Sequence, residues 1–332
     1  MNKRILITGA SGCIGHYVTE QLIQQTYHQL FLLVRDPSKL GFDTTVRSGI
    51  QILQADLRQI DQFHQLLSTL DIAILIATSW GGREEIFDIN VNSVISLLQG
   101  LNSQCQQVIY FSTASILDHN HQLLPEAGTI GTDYISSKYQ CLTKIQELTP
   151  NLPPIRVLFP TLVLGGAPDK PSSHVSSGIS EIVNWLPLIR WFKTDASFHF
   201  VHGADIAQVV SYLIEHPAQN QDLEYFVLGS APTTVNQVIE DACRFFQQRI
   251  YFRFNLALWL ANIFIKVFRI QMADWDRFCL NYRHFTYQNP VSPATFQLPV
   301  HCATVTDIFQ LAPKSNDKRY RLQSSDFNLS KP

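Results

Sequence analysis

Eight residues, TGASGCIG from Thr8 to Gly15, restrict what this chain can fold into more than any other stretch. They follow the apolar run Ile5 to Ile7 and lead into IGHYVTEQLIQQ, whose apolar residues recur at helical spacing. A glycine turn between strand and helix lets backbone N–H groups approach a diphosphate at the helix N-terminus, where partial positive charge favours an anion. Gly9 then permits the tight turn, Gly12 the approach of phosphate oxygens and Gly15 the packing of helix on strand, with Cys13 and Ile14 beside them in the cofactor-binding set.

The rhythm of the following residues is that of strand and crossover helix. Apolar runs at 4–8, 30–35, 50–56, 72–77, 107–112 and 155–159 predict strands covered on both faces, and the segments between them carry helical periodicity. This is the pattern of an α/β protein with a doubly wound parallel sheet, the Rossmann arrangement. Residues 1–160 form the expected dinucleotide-binding domain. After the turn-rich GGAPDKPSS the alternation ends, so 161–315 is expected to form a smaller substrate-binding lobe, partly interleaved because FHFVHGAD and EYFVLGS can each add a strand. Residues 316–332 form a polar tail.

Composition excludes several classes. A net charge of −2, with 45% hydrophobic and 16% charged residues, offers no basic face for nucleic acid. The six cysteines have neither Cys-x-x-Cys pairing nor metal-ligand spacing, which predicts free thiols, no metal and a reducing, cytoplasmic setting. The basic Lys3 and Arg4 precede too short an apolar run for a signal peptide, and the longest apolar stretch, NLALWLANIFIKVFRI, is broken by Asn262, Lys266 and Arg269, so no transmembrane segment is expected.

Several motifs in order resemble the extended short-chain dehydrogenase/reductase family, which includes the NAD-dependent epimerase/dehydratases. The glycine spacing is one. DYISSKYQ supplies Tyr134 and Lys138 as that family's Tyr-x-x-x-Lys, and YFSTASIL places Thr113 at its catalytic hydroxyl, with Ser112 before it and Ser115 as a competitor. The resemblance implies that Tyr134 exchanges a proton with a carbonyl oxygen, Thr113 binds that oxygen, and Lys138 holds the nicotinamide ribose. Residues four apart share a helix face, so the Lys138 ammonium is expected to lower the phenol from its ordinary pKa of about 10. The likeness also implies adenine contacts at Asp56 and Leu57, ribose and diphosphate contacts at Ala77 and Thr78, nicotinamide contacts at Pro160 and Thr161, and a structural or water-relay role for Asn90.

Arg35, twenty residues past Gly15, ends the second strand, where an arginine receives the 2′-phosphate of NADP; Asp36 beside it is the residue that would select NAD. NADP is therefore favoured and NAD is the alternative. Leu117 and Asp118 stand where nucleotide-sugar epimerases of this family have an aromatic and a glycine, and Thr161 stands where they have the glycine of Pro-Gly. With an apolar distal lobe, these departures imply an oxidoreductase acting on an apolar ketone, aldehyde or alcohol, as in relatives resembling dihydroflavonol reductase. The alternatives are an epimerase/dehydratase with bound NAD and a nucleotide-loaded binding or assembly protein. The partner is a small molecule, and the resemblance is consistent with a homodimer. His119 and His121 read as loop residues, His199 and His202 as structural, and Asp205 as a helix cap. The stripe Leu256, Trp259, Leu260, Ile263, Phe264, Val267 and Phe268 reads first as core packing; a pocket wall or a peripheral membrane contact through 256–270 are the other readings.

Overall fold

The computed structural model describes residues 2–218, 223–267 and 271–311; the polar tail and the Phe268 end of the apolar stripe lie outside them. The strands are β1 (Arg4–Thr8), β2 (Gln29–Val34), β3 (Ile50–Gln54), β4 (Ile72–Leu75), β5 (Gln107–Phe111) and β6 (Ile155–Pro160), with a seventh at Leu223–Leu228. They form one parallel sheet in the order seventh, β6, β5, β4, β1, β2, β3. Several strands stop short of their apolar runs, because residues such as Ile76 and Ala77 leave the sheet to line a cavity at its end.

Alternate side chains of each strand serve the two faces. Ile5 and Ile7 pack with α1 (Cys13–Gln25) and the helix Gly203–Glu215, while Leu6 packs with the helices Ser93–Gly100 and Asp133–Leu148. The edge strand β3 departs from the expected double coverage: Gln51, Ile52 and Gln54 are exposed and Leu53 alone is buried, since no strand lies beyond it.

The helix Gly203–Glu215 belongs to the second half of the chain but lies on the sheet, which interleaves the two parts. Basic and amide side chains hold its C-terminal carbonyls, which no further helical turn can satisfy. Gln107 Nε2 donates to the Leu213 carbonyl at 2.8 Å, and Arg156 Nη1 to the same oxygen at 3.0 Å. Lys3 Nζ donates to the Ile214 carbonyl.

At the other end of this helix the expected cap is corrected. His202, not Asp205, caps it, through Nδ1 accepting from the Ala204 N–H at 3.2 Å. The buried Asp205 carboxylate instead accepts from the backbone N–H groups of His301 (2.6 Å) and Cys302 (3.1 Å), anchoring the segment before the last helix. His199 is structural, with Nδ1 2.7 Å from the Ser230 carbonyl and Nε2 accepting from Tyr287 N–H.

Of the two strand-like stretches of the distal region, EYFVLGS joins the central sheet; FHFVHGAD pairs its Phe200–His202 with Leu162–Leu164 instead. The lobe has its own core around Leu164, Ile179, Leu186, Ile239, Phe246 and Phe309. Two side chains of the stripe at 256–268 lie outside that core. In the helix Leu258–Val267, Trp259 is 65% exposed and Ile263 48%, which overturns the core-packing reading for these side chains. The six cysteines are free thiols, and among the described residues no cluster of ligands could hold a metal.

Candidate active site

A cavity of about 770 Å³ opens at the C-terminal ends of β1, β4, β5 and β6. The strand order reverses at β1, and the crevice there is where open parallel sheets bind ligands. The glycine turn forms one end. Gly9 has φ +76°, and a Cβ there would meet Ala77 N at 2.7 Å. A Cβ on Gly15 would lie 2.0 Å from the Gly9 carbonyl oxygen, so α1 can leave β1 at this angle only with glycine there. A Cβ on Gly12 would meet only that same oxygen, at 3.4 Å. Gly12 is thus the glycine the fold itself can spare. It caps α1 with no side-chain hydrogen bond, and no carboxylate occupies the first turn, so the helix start is suited to an anion.

Gly9, Gly12, Cys13, Ile14, Arg35, Leu57, Ala77, Thr78, Thr113, Tyr134, Lys138, Pro160 and Thr161 all line the cavity. Gly15 lies behind the lining, in the packing of α1 on β1. Asp56 is not part of the wall: its carboxylate accepts from Arg58 Nε (2.9 Å) and Nη2 (3.0 Å) while capping the turn Leu57–Phe63. The Arg58 hydrogen bond holds that carboxyl below its usual range. Arg35 is exposed, reaching Glu85 at 3.4 Å, and Lys39 also lines this end. Asp36 is engaged locally, accepting from the Ser38 hydroxyl (2.6 Å) and N–H (3.0 Å) as cap of the turn Pro37–Lys39.

At the other end, the helix Asp133–Leu148 presents Tyr134 and Lys138 one turn apart. The Thr113 hydroxyl, which lines the cavity with Tyr134, caps the turn Ala114–Ile116; its oxygen is 3.4 Å from Ser115 Oγ. Lys138 is 2% exposed and donates to the Phe111 carbonyl at 2.9 Å. Burial pushes its ammonium down to about 8. The Tyr134 phenol is not lowered as the four-residue spacing predicts. Burial raises it, and the neighbouring Thr113 hydroxyl only partly opposes this. The ammonium is committed to a backbone carbonyl, so it does not offset the phenol's desolvation.

Two features escaped the sequence reading. The Trp80 indole stacks on the Tyr134 ring, centroids 3.7 Å apart and planes 17° from parallel, and His174 lies 4.7 Å from the indole. Only the aromatic in IATSWGG, just after the fourth apolar run, signals it. The second is how Asn90 joins these parts. A π-helical turn, Asp88–Asn92, aims its buried amide at the loop before Trp80. Its oxygen accepts from Thr78 Oγ1 (3.0 Å) and Ser79 N–H (2.8 Å), and its nitrogen donates to the Ser79 carbonyl (3.3 Å) and Ser137 Oγ (3.0 Å). Ser137 in turn donates to the Tyr134 carbonyl at 2.7 Å. Both hydrogens and both lone pairs of the Asn90 side-chain amide are thus taken up by protein groups.

A model of the NAD dependent epimerase/dehydratase family matches residues 5–229. Over 224 residues, 63% of the chain, the sequence is 25% identical to the hybrid PKS-NRPS synthetase pvhA of Talaromyces variabilis. Over 122 residues, 35% of the chain, it is 23% identical to a UDP-N-acetyl-alpha-D-glucosaminuronate decarboxylase of Bacillus cytotoxicus. These matches span 6% and 38% of the two relatives' lengths. Among solved structures, gox2253 superimposes with TM-score 0.66 at 18% identity, covering 92% of this chain and 97% of that one. A thiolation-reductase di-domain from an archaeal non-ribosomal peptide synthetase gives 0.62 at 15%, covering 81% of each. The Bordetella bronchiseptica enzyme WbmG in complex with NAD gives 0.56 at 15%, covering 74% and 78%. At these identities the structural likeness is one of fold.

The glycine geometry separates binding from folding. Gly12→Val should abolish NADH and NADPH titration while keeping the melting temperature within about 3 °C. Gly15→Ala should cost about 1–3 kcal/mol in denaturant unfolding by forcing helix and strand apart. Lys138 gives a pH dependence. Between about 8 and its ordinary 10.5 the unfolded chain holds a proton that the folded chain has lost. Its contribution to stability therefore rises with pH in that window, by about 1.4 kcal/mol per unit. The difference in unfolding free energy between the unmodified protein and Lys138→Met, measured without nucleotide from pH 7 to 10, should show that slope.

Proposed function

The chain belongs to the NAD dependent epimerase/dehydratase family, and we propose that within it the protein is an NAD(P)-dependent oxidoreductase interconverting an apolar ketone or aldehyde and its alcohol. The observation that carries this reading is the convergence of Thr113, Tyr134 and Lys138 on one cavity whose far end is the glycine turn. A bound nicotinamide dinucleotide would supply or accept the hydride. In the reducing direction Thr113 donates a hydrogen bond to the carbonyl oxygen, and the Tyr134 phenol gives that oxygen its proton as the carbon is reduced. The Lys138 ammonium, donating to the Phe111 carbonyl, would hold the ribose of a bound dinucleotide. With a pKa pushed down to about 8 it remains largely charged at neutral pH.

The lining supports an apolar substrate. The wall includes Trp80, stacked on Tyr134, together with Val175, Leu162 and Trp275, and among the described lining residues the only cations are Lys138 and, at the nucleotide end, Arg35 and Lys39. Beside the phenol a sugar-linked diphosphate would meet only the buried Lys138, already donating to the Phe111 carbonyl. The family match and the NAD complex of a structural neighbour favour the second reading, an epimerase or dehydratase that returns its NAD unchanged. A nucleotide-loaded binding protein would turn over nothing. NADP is the proposed cofactor because the exposed Arg35 and Lys39 both line the nucleotide end, held only by surface pairs with Glu85 and Asp36, while the Asp36 carboxylate is also occupied in capping.

A panel of aliphatic and aromatic ketones and aldehydes, followed by loss of NADPH absorbance, tests the reaction. Stoichiometric oxidation supports it, and turnover of a nucleotide sugar with no net change in cofactor supports the epimerase. Tyr134→Phe should lower the rate by about 10²–10⁴ with nucleotide affinity retained. Arg35→Ala should weaken NADPH by about 1.5–3 kcal/mol and leave NADH nearly unchanged. Tighter NADH binding by the unmodified protein would remove the case for NADP.

A further inference from the structure

Two stretches, 182–194 and 242–273, contain seven Lys and Arg and no Asp or Glu, in a chain whose net charge is −2. The structure joins them. The strands Phe192–Lys193 and Phe254–Asn255 pair in parallel, with Phe254 N–H donating to the Trp191 carbonyl at 2.7 Å and Leu256 N–H to the Lys193 carbonyl at 2.8 Å. The helix Ile179–Ile189 enters this pairing and the helix Leu258–Val267 leaves it.

The joined region is apolar at its surface. Trp185, Leu188, Tyr251, Phe252, Phe254, Trp259 and Ile263 are seven of the fifteen exposed large hydrophobic residues among those described, with Tyr251 71% exposed. The rings pack on one another: Trp191 and Phe252 centroids are 5.0 Å apart, Phe252 and Phe254 5.1 Å. The Arg190 guanidinium lies 5.2 Å from the Trp191 ring centroid. Lys193 and Arg249 are exposed, and among the described residues neither pairs with a carboxylate.

We propose that this face docks on an anionic lipid bilayer. Tryptophan and tyrosine favour the boundary between headgroups and acyl chains, aliphatic groups enter below it, and surrounding cations meet the lipid phosphates. The contact is peripheral, because among the described residues no helix is long and apolar enough to cross a membrane. Charge selects lipid over a second copy of the chain: Arg244 and Arg253 already engage the bordering carboxylates Asp241 and Glu240, so a two-fold interface would set the exposed cations Lys193 and Arg249 against their own copies, whereas lipid phosphates would answer them.

The test is co-sedimentation of the full chain with vesicles of phosphatidylcholine alone or mixed with phosphatidylglycerol, in low and high salt. The protein should sediment with the mixed vesicles and be released by salt. Trp259→Glu and Phe252→Glu should each weaken binding at least tenfold at unchanged melting temperature. Should either fail to fold, Lys193→Gln and Arg249→Gln decide, each expected to weaken binding about fivefold. No binding to mixed vesicles, or undiminished binding by the charge variants, overturns the proposal. So does a dimer in light scattering that Trp259→Glu dissociates while vesicles stay unbound, which would assign the face to a second copy.

Discussion

The carbonyl oxygen of Gly9 lies where a Gly15 side chain would have to be, and this contact determines how α1 meets the sheet. With the helix held so tightly against β1, its first turn opens at the strand ends where the sheet order reverses. The cavity follows from that placement. Its floor is the row of strand ends, and loops after β4, β5 and β6 become its walls. Interactions far along the chain then refine a shape that one backbone approach has already set.

The opposite end of the cavity is held by polar groups rather than by close approach. Asn90 bonds the Thr78–Ser79 loop on one side and Ser137 on the other, so the segment carrying Trp80 and the helix carrying Tyr134 are fixed to one amide. Lys138 sits in the same layer, desolvated and satisfied by a single backbone carbonyl. An apolar residue would fill that space at lower electrostatic cost. The site therefore holds a charge that the fold does not need.

Much of this was legible in the sequence. Strands buried on both faces write themselves as apolar runs, and β1, β4, β5 and β6 are such strands. Tyr134 and Lys138 were legible because a four-residue spacing maps onto one helix face. Residues with a choice of partners were harder. Asp56, Asp36 and Asp205 are carboxylates whose nearest donors come from turn geometry or from a segment nearly a hundred residues away. The stripe at 256–268 shows the limit of periodicity: helical spacing reveals that a face is apolar but not whether protein covers it, and Trp259 is uncovered. The stacking of Trp80 on Tyr134 joins a loop to a helix more than fifty residues on, by way of Asn90, and no local pattern records such a meeting.

That stack gives the cavity an optical signature. Of the five tryptophans in the chain, Trp80 is the one whose indole lies face to face with the Tyr134 ring. Its emission depends on that neighbour and on the imidazole of His174 beside it. Whatever slides between indole and phenol, or swings the loop aside, changes the environment of Trp80 directly, while the other cavity tryptophan, Trp275, stacks on Phe278 instead. The protein thus carries its own probe for the moment when the phenol is uncovered, and ligand entry at this end of the cavity becomes observable in real time.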